Sequence, residues 1–383
     1  MTQQTHWSED YPAAGRRFAD LGQLELENGQ HLPQVTLAYE TYGTLNETGS
    51  NAILVLHALT GDAHVAGPTA PGQITPGWFD ALVGPGKAID TDRFFVLAPN
   101  VLGGCSGSTG PTSPHPAGKP WGGRFPQLTT RDQVRAEISL AKHLEIDRFA
   151  LVLGASMGGQ RALEWALEDP ARVGALAVIA SGAAVTADQA AWIHTQLQAI
   201  ELDPNWQGGN YLESGCAPTA GLALARQIAH TTYRTDRELQ ARFAASPQGN
   251  EDPLRGGRLA VQSYLDYHGD KLTNRFDAAS YYRLSQTMLT HDVGRARGGV
   301  ETALSQILCP TLVVGVDSDR LFPASDAQDL ATTIPLGFYR EVESLYGHDG
   351  FLIEAAQLEA ILTDFLNLLA GTHCYSCKAS NAF

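Results

Sequence analysis

Ala150-Leu151-Val152-Leu153-Gly154-Ala155-Ser156-Met157-Gly158-Gly159, followed by RALEWALE at residues 161–168, sets an apolar run against a glycine-flanked serine that opens a helix-like segment. Strand, sharp turn and helix are the context in which a Gly-x-Ser-x-Gly serves as a nucleophile elbow. Such a turn holds its serine in a strained backbone conformation, and the neighbouring positions must lack a Cβ so that chain segments can approach. Ser156 would then stand exposed at a helix N-terminus. There the Met157 N–H and the helix dipole can stabilise an oxyanion formed on an attacked carbonyl.

Working outward, the run Ile53-Leu54-Val55-Leu56 within 51–59 and the segments 34–43, 94–99, 149–153, 175–180 and 311–317 read as strands. Continuous apolar runs of this length suit a parallel sheet buried on both faces. Between them, residues 130–146 predict a helix opened by a capping box of Thr130 with Gln133, and 156–168 a second helix. Alternating strand and helix define an α/β class with a mostly parallel sheet flanked by helices. From about Asp188 to Val300 the alternation stops, and helix-like segments at 221–229, 236–244, 259–267 and 278–289 predict an inserted helical cap. The expected division is therefore core 1–185, cap 186–303, core 304–370 and a tail 371–383. The stretch from Asp188 to Val300 carries 11 of the 26 cations and 12 of the 41 anions, so it is near neutral in a chain of net charge −15. It is the better place to receive an anionic ligand.

A serine hydroxyl needs a base to take its proton and a carboxylate to orient that base, in the chain order Ser, Asp, His for this arrangement. Downstream of the elbow, His348 stands out, in the glycine-bounded Tyr346-Gly347-His348-Asp349-Gly350 that follows an extended stretch at 337–342. Asp317 and Asp319 both lie at the carboxyl end of the strand TLVVGV, and either could orient the imidazole. The loop His57-Ala58-Leu59-Thr60-Gly61 follows an early strand where a second oxyanion donor belongs, and the Leu59 N–H is the candidate. His57 and His64 carry no H-E-x-x-H pattern or carboxylate cluster, so no metal is expected. Neither a dinucleotide fingerprint nor a phosphate-binding G-K-[ST] loop occurs.

Several stretches together resemble the homoserine O-acetyltransferases, acyltransferases of the α/β-hydrolase fold: LAYETYGTLN (37–46), LHALTGDAHVAG (56–67), GASMGGQRALEWA (154–166), ARQIAHTTYR (225–234), SDRLFP (318–323) and YGHDGFLIE (346–354). Further matches run at 99–116 and 284–299. One departure is Gly154-Ala155, where the family more often shows Gly-Gly. Position by position, the resemblance implies Ser156 as nucleophile, Asp319 rather than Asp317 as the acid, His348 as base, and Leu59 and Met157 as oxyanion donors. It sets Arg226 against the substrate carboxylate, with Tyr233 nearby, and Asp349 against the amine. The implied reaction takes acetyl-CoA as co-substrate and L-homoserine as acceptor, with no resident cofactor, in a homodimer. The acidic balance speaks against nucleic acid or an anionic membrane as partner. The polar first ten residues lack a basic start and apolar stretch, and a cytoplasmic enzyme is expected.

A triad alone does not say which acceptor takes the acyl group. Water would make the protein a hydrolase, and a serine acceptor or succinyl-CoA donor a sister transferase, since one methylene discriminates by only about 1–3 kcal/mol. Residues 319–322 resemble the acetyl-specific members more. The cap's arginines, Arg295 and Arg297 among them, are expected to meet the phosphates of CoA. Five scattered cysteines suit a reducing compartment, and the lone Cys374-x-x-Cys377 carries little as a zinc or redox signal.

Overall fold

The computed structural model describes the backbone of residues 12–379 and the side chains of residues 12–371; Cys374 and Cys377 lie outside the described side chains. Eight strands form one sheet: β1 (Arg17–Asp20), β2 (Thr36–Tyr42), β3 (Ala52–Leu56), β4 (Phe95–Pro99), β5 (Leu151–Ala155), β6 (Leu176–Ile179), β7 (Thr311–Val316) and β8 (Gly337–Val342). Their spatial order is β1-β2-β4-β3-β5-β6-β7-β8. The six strands from β4 to β8 pair in parallel, while β2 is antiparallel to both β1 and β4. The order reverses between β3 and β5, so the crevice at their carboxyl ends is the switch point where such sheets place ligands. The loops carrying Leu59 and Ser156 leave the sheet there.

Every residue of β3, β5, β6 and β7 is buried, because alternate side chains supply two cores. Leu54, Leu56, Val152, Val178 and Val313 face a cluster that includes α1 (Thr130–His143) and α2 (Met157–Glu168). Ile53, Val55, Leu151, Leu153 and Val314 face the other, against Leu358, Leu362 and Phe365 of α11 (Ala355–Ala379). Between β6 and β7 the chain inserts α3 (Ala187–Glu201), α4 (Thr219–Tyr233), α5 (Asp236–Phe243), α6 (Ala260–Thr273) and α7 (Ala278–Leu289). Their apolar residues Ile193, Leu197, Leu222, Ala225 and Leu284 form a third cluster with Leu59 and Met157. The insertion therefore roofs the two loops at the switch point. The chain is back against the first core by Val293, and α8 (Val300–Leu304) and α9 (Ala324–Thr333) complete that face.

Some local expectations shift. The capping box of α1 is Thr129 with Asp132, each side chain paired with the other's backbone N–H, rather than Thr130 with Gln133. Asp132 also accepts from the Glu27 N–H at 2.7 Å, a long-range contact that favours this pair over its neighbours. The helix α3 was not expected, although its own capping box, Thr186 with Gln189, is a legible start signal. The last helix divides at Glu354 into α10 (Gly350–Ile353) and α11, and α11 runs to Ala379, through most of the segment expected as a tail. β1 was missed because it is an edge strand with a mostly exposed pattern. Among the described residues, no helix is long and apolar enough to cross a membrane.

Candidate active site

Ser156 occupies the turn between β5 and α2 at φ 55°, ψ −123°, a left-handed conformation disfavoured for a residue with a Cβ. Its backbone is over-determined: the Ser156 N–H donates to the Ile179 carbonyl at 2.9 Å, and the Ser156 carbonyl accepts from Ser181 Oγ at 2.7 Å. Both flanking glycines are obligatory. A Cβ on Gly154 would lie 2.0 Å from the Gly158 carbonyl oxygen, and one on Gly158 would lie 2.0 Å from that of Leu56. The turn thus presses α2 against the end of β3.

His348 Nε2 lies 2.9 Å from Ser156 Oγ, and His348 Nδ1 lies 2.6 Å from Asp319 Oδ2. All three side chains are buried. Asp319 Oδ1 accepts the N–H groups of Leu321 at 2.8 Å and Phe322 at 2.9 Å, which holds the carboxylate still. The imidazole is packed by the rings of Phe322, Phe351 and Tyr233. Burial by itself pulls the His348 pKa down, but the charge and hydrogen bond of Asp319, with the charge of Asp349, outweigh it and leave the pKa raised. Asp317, the alternative left open by the strand end, is exposed and accepts from the Ser344 N–H at 2.9 Å, away from the imidazole.

Leu59 occupies the second position of a turn closed by the Gly61 N–H on the Ala58 carbonyl at 2.9 Å. In such a turn the closing bond leaves the second residue's N–H outside it. Neither the Leu59 nor the Met157 N–H has a hydrogen-bond acceptor among the described residues. The loop is held from behind by Arg161, which donates to the His57 carbonyl at 2.6 Å and pairs with the buried Glu137. His57 is a structural part: its Nε2 accepts from the Val101 N–H at 3.0 Å, and burial, reinforced by Arg161, pushes its pKa down to about 3. His64 is paired separately with Glu40 at 3.0 Å.

Beside His348 a cleft of about 210 Å³ is lined by Arg226, His230, His268, Lys271, Arg275 and Asp349 among others. The Arg226 guanidinium lies over the Tyr233 ring, 5.3 Å from its centre, and has no ion-pair partner among the described residues. Burial, with Arg226 next, pushes His230 down to about 2 and His268 to about 4. Both imidazoles are neutral near pH 7, so the cleft's cations are Arg226, Lys271 and Arg275. Asp349 also lines the cleft, its Oδ2 held by Arg234 at 3.1 Å. Sequence reading missed Arg234, which sits in extended backbone between α4 and α5 and pairs with Glu238 across that break.

Arg295 and Arg297, expected to meet phosphates, do not line this cleft and are committed to carboxylates. Arg295 grips Glu27 at 2.9 and 3.0 Å, and Arg297 grips Glu164 at 2.8 Å and Glu168 at 2.6 Å. With Arg131 bridging Glu27 and Glu164, they anchor the chain returning from the insertion. Arg297→Met is expected to leave the catalytic constants unchanged. It should destabilise the fold by about 3 kcal/mol, because Glu164 is left buried with less counter-charge; chemical denaturation beside steady-state kinetics checks both.

A sheet of this order, with a strained serine relayed through histidine to aspartate at its switch point, defines an α/β-hydrolase-fold enzyme. A family model described as the alpha/beta hydrolase fold matches residues 51–355. The homoserine O-acetyltransferase of Thermobifida fusca is 54% identical over 363 residues, covering 94% of this chain and 96% of that one. The solved homoserine O-acetyltransferase from Bacillus anthracis superposes with a TM-score of 0.83 at 28% identity, covering 92% of this chain and 97% of that one. Esterase E22 superposes equally well, with a TM-score of 0.84 at 27% identity over 92% of this chain and 99% of that one. The chain belongs to the homoserine O-acetyltransferase family of acyltransferases.

Proposed function

We propose that the protein transfers the acetyl group of acetyl-CoA to the hydroxyl of L-homoserine by a ping-pong mechanism through an acetylated Ser156. The observation that carries this reading is that Arg226, without an ion-pair partner among the described residues, and Asp349, tethered by Arg234, line one cleft, where Arg226 lies over the Tyr233 ring that packs on His348. A guanidinium matched to a carboxylate and a carboxylate matched to an ammonium hold a free amino acid with its side-chain hydroxyl inward.

In the first half-reaction His348 Nε2 takes the Ser156 proton as Oγ bonds to the thioester carbon. The carbonyl electron pair moves to oxygen, opposite the Leu59 and Met157 N–H groups. Collapse breaks the C–S bond, and the proton on His348 leaves with the CoA thiol. In the second half, His348 takes the homoserine hydroxyl proton, the alkoxide oxygen bonds to the acetyl carbon, and the Ser156 C–O bond breaks with the proton returned to Oγ. The same reading assigns no metal or resident cofactor and a cytoplasmic homodimer, the latter tested by sedimentation.

The likeness to esterase E22 favours one alternative, in which water takes the acetyl group. Following CoA thiol release from acetyl-CoA with L-homoserine, with L-serine or with no acceptor separates the two, and a succinyl-CoA arm tests the donor. Release that requires homoserine and acetyl-CoA together supports the transferase; sustained release without an acceptor would sink it. Arg226→Gln is expected to raise the KM for homoserine by about 10- to 100-fold, the value of a charge-assisted pair. The rate of acetyl-enzyme formation, read by mass spectrometry on a quenched-flow time course, should stay within about twofold of the parent.

A further inference from the structure

The turn that presents the Leu59 N–H is held from two directions, and only one of the holds belongs to the core. On the core side, Arg161 of α2 fixes the His57 carbonyl while its charge is spent on Glu137. On the far side, Arg275, between α6 and α7 of the insertion, donates to the Thr60 carbonyl at 2.7 Å and to Thr60 Oγ1 at 3.3 Å. Thr60 is the third residue of the same turn. Arg275 has no carboxylate in ion-pair reach among the described residues, and it lines two clefts, one of them together with Thr60 and the other with Arg226 and Asp349. A half-buried guanidinium with no carboxylate within ion-pair distance is an expensive way to satisfy the two oxygens of one threonine, so stability alone does not account for it.

We propose that Arg275 is a positioning residue that makes the oxyanion site depend on the helical insertion, by clamping the Ala58–Gly61 turn so that the Leu59 N–H stays aimed at the acetyl oxygen. This rests on the acyl-serine reading above. The core strands alone set the Met157 donor, whereas the Leu59 donor is set jointly by the core and by a residue 215 positions from its neighbour Thr60. The insertion then does more than shape a pocket: an undocked insertion would leave an enzyme with one aligned donor.

The test is acylation by p-nitrophenyl acetate, a donor without phosphates, followed as a stopped-flow burst of p-nitrophenolate in the full-length protein, its Ser156→Ala form, Arg275→Gln and Arg275→Lys. Arg275→Gln is expected to lower the acylation rate constant by about 10- to 100-fold, a part of the loss seen when an oxyanion donor is removed outright. Its affinity for a phenylboronic acid, whose tetrahedral adduct on the serine carries an oxygen in the same place, should fall by a similar factor. The acid limb of the pH profile, set by His348, should not move. Arg275→Lys, which can still donate to the Thr60 carbonyl, should recover part of both losses. An unchanged acylation rate in Arg275→Gln overturns the proposal. So does a defect confined to a raised KM for acetyl-CoA with S-acetyl-pantetheine unaffected, which would make Arg275 a phosphate contact. A burst that survives Ser156→Ala, or is absent from the parent protein, would instead bring down the acyl-serine reading on which the proposal rests.

Discussion

Ser156→Ala is expected to lower homoserine-dependent CoA release by about 10⁶-fold, the scale on which a serine nucleophile and its base act as one unit. Among the described residues no other hydroxyl lies within hydrogen-bond distance of His348 Nε2. Ser181 Oγ, just beyond the end of β6, is committed to the Ser156 carbonyl, and His348 Nε2 faces Oγ of Ser156. The fold should tolerate the change, because the strained backbone is held by main-chain bonds and by the Gly154 and Gly158 contacts rather than by the hydroxyl. Thermal unfolding should therefore be near that of the parent, while the mass increase of an acetyl group after exposure to acetyl-CoA disappears. Persistent acetylation in the variant would move the nucleophile elsewhere.

Asp319→Asn should lower kcat by about 10⁴-fold with the geometry intact, the loss known for a triad whose imidazole is put in the wrong tautomer. The Leu321 and Phe322 N–H groups would still select an oxygen, turning the new amide N–H toward His348 Nδ1. That nitrogen would then accept, the proton would sit on Nε2, and Nε2 could no longer take the Ser156 proton. Asp317→Asn, at an exposed carboxylate that serves the Ser344 N–H, should remain within about threefold of the parent, as surface substitutions usually do. The same contrast has a pH signature. His348 must be neutral to act as base and its pKa is raised above 6.5, so kcat/KM should fall with decreasing pH through a midpoint above that value. In Asp319→Asn the limb should move to lower pH, since the main influence opposing burial is gone; a limb that stays put would assign it to another group.

Arrangements set by local burial were legible. The apolar runs at β3, β5, β6 and β7 announce a sheet covered on both faces, and Gly154-Ala155-Ser156-Met157-Gly158 announces its turn, because each glycine answers a backbone approach within a few residues. His348 could be chosen from its glycine-bounded loop. Asp317 and Asp319 could not be separated by spacing, as both follow the same strand within one turn; likeness to the family selected Asp319, and the fold shows why, burying one and exposing the other. Adjacent Thr129 and Thr130 posed the same problem at α1. The partners of Arg295, Arg297, Arg234 and Arg275 were not legible at all.

What the sequence by itself determined is the sheet, the elbow and the order of the triad, since these follow from periodicity and from residue types that few other backbones require. What only the tertiary structure decided is how the charges are allotted: Arg297 to a buried glutamate, Arg226 to the Tyr233 ring at the cleft, Arg275 to the Thr60 carbonyl. An arginine's reach spans several turns of chain in any direction, and the carboxylate or carbonyl that captures it is set by packing between segments hundreds of residues apart, about which local spacing carries no information.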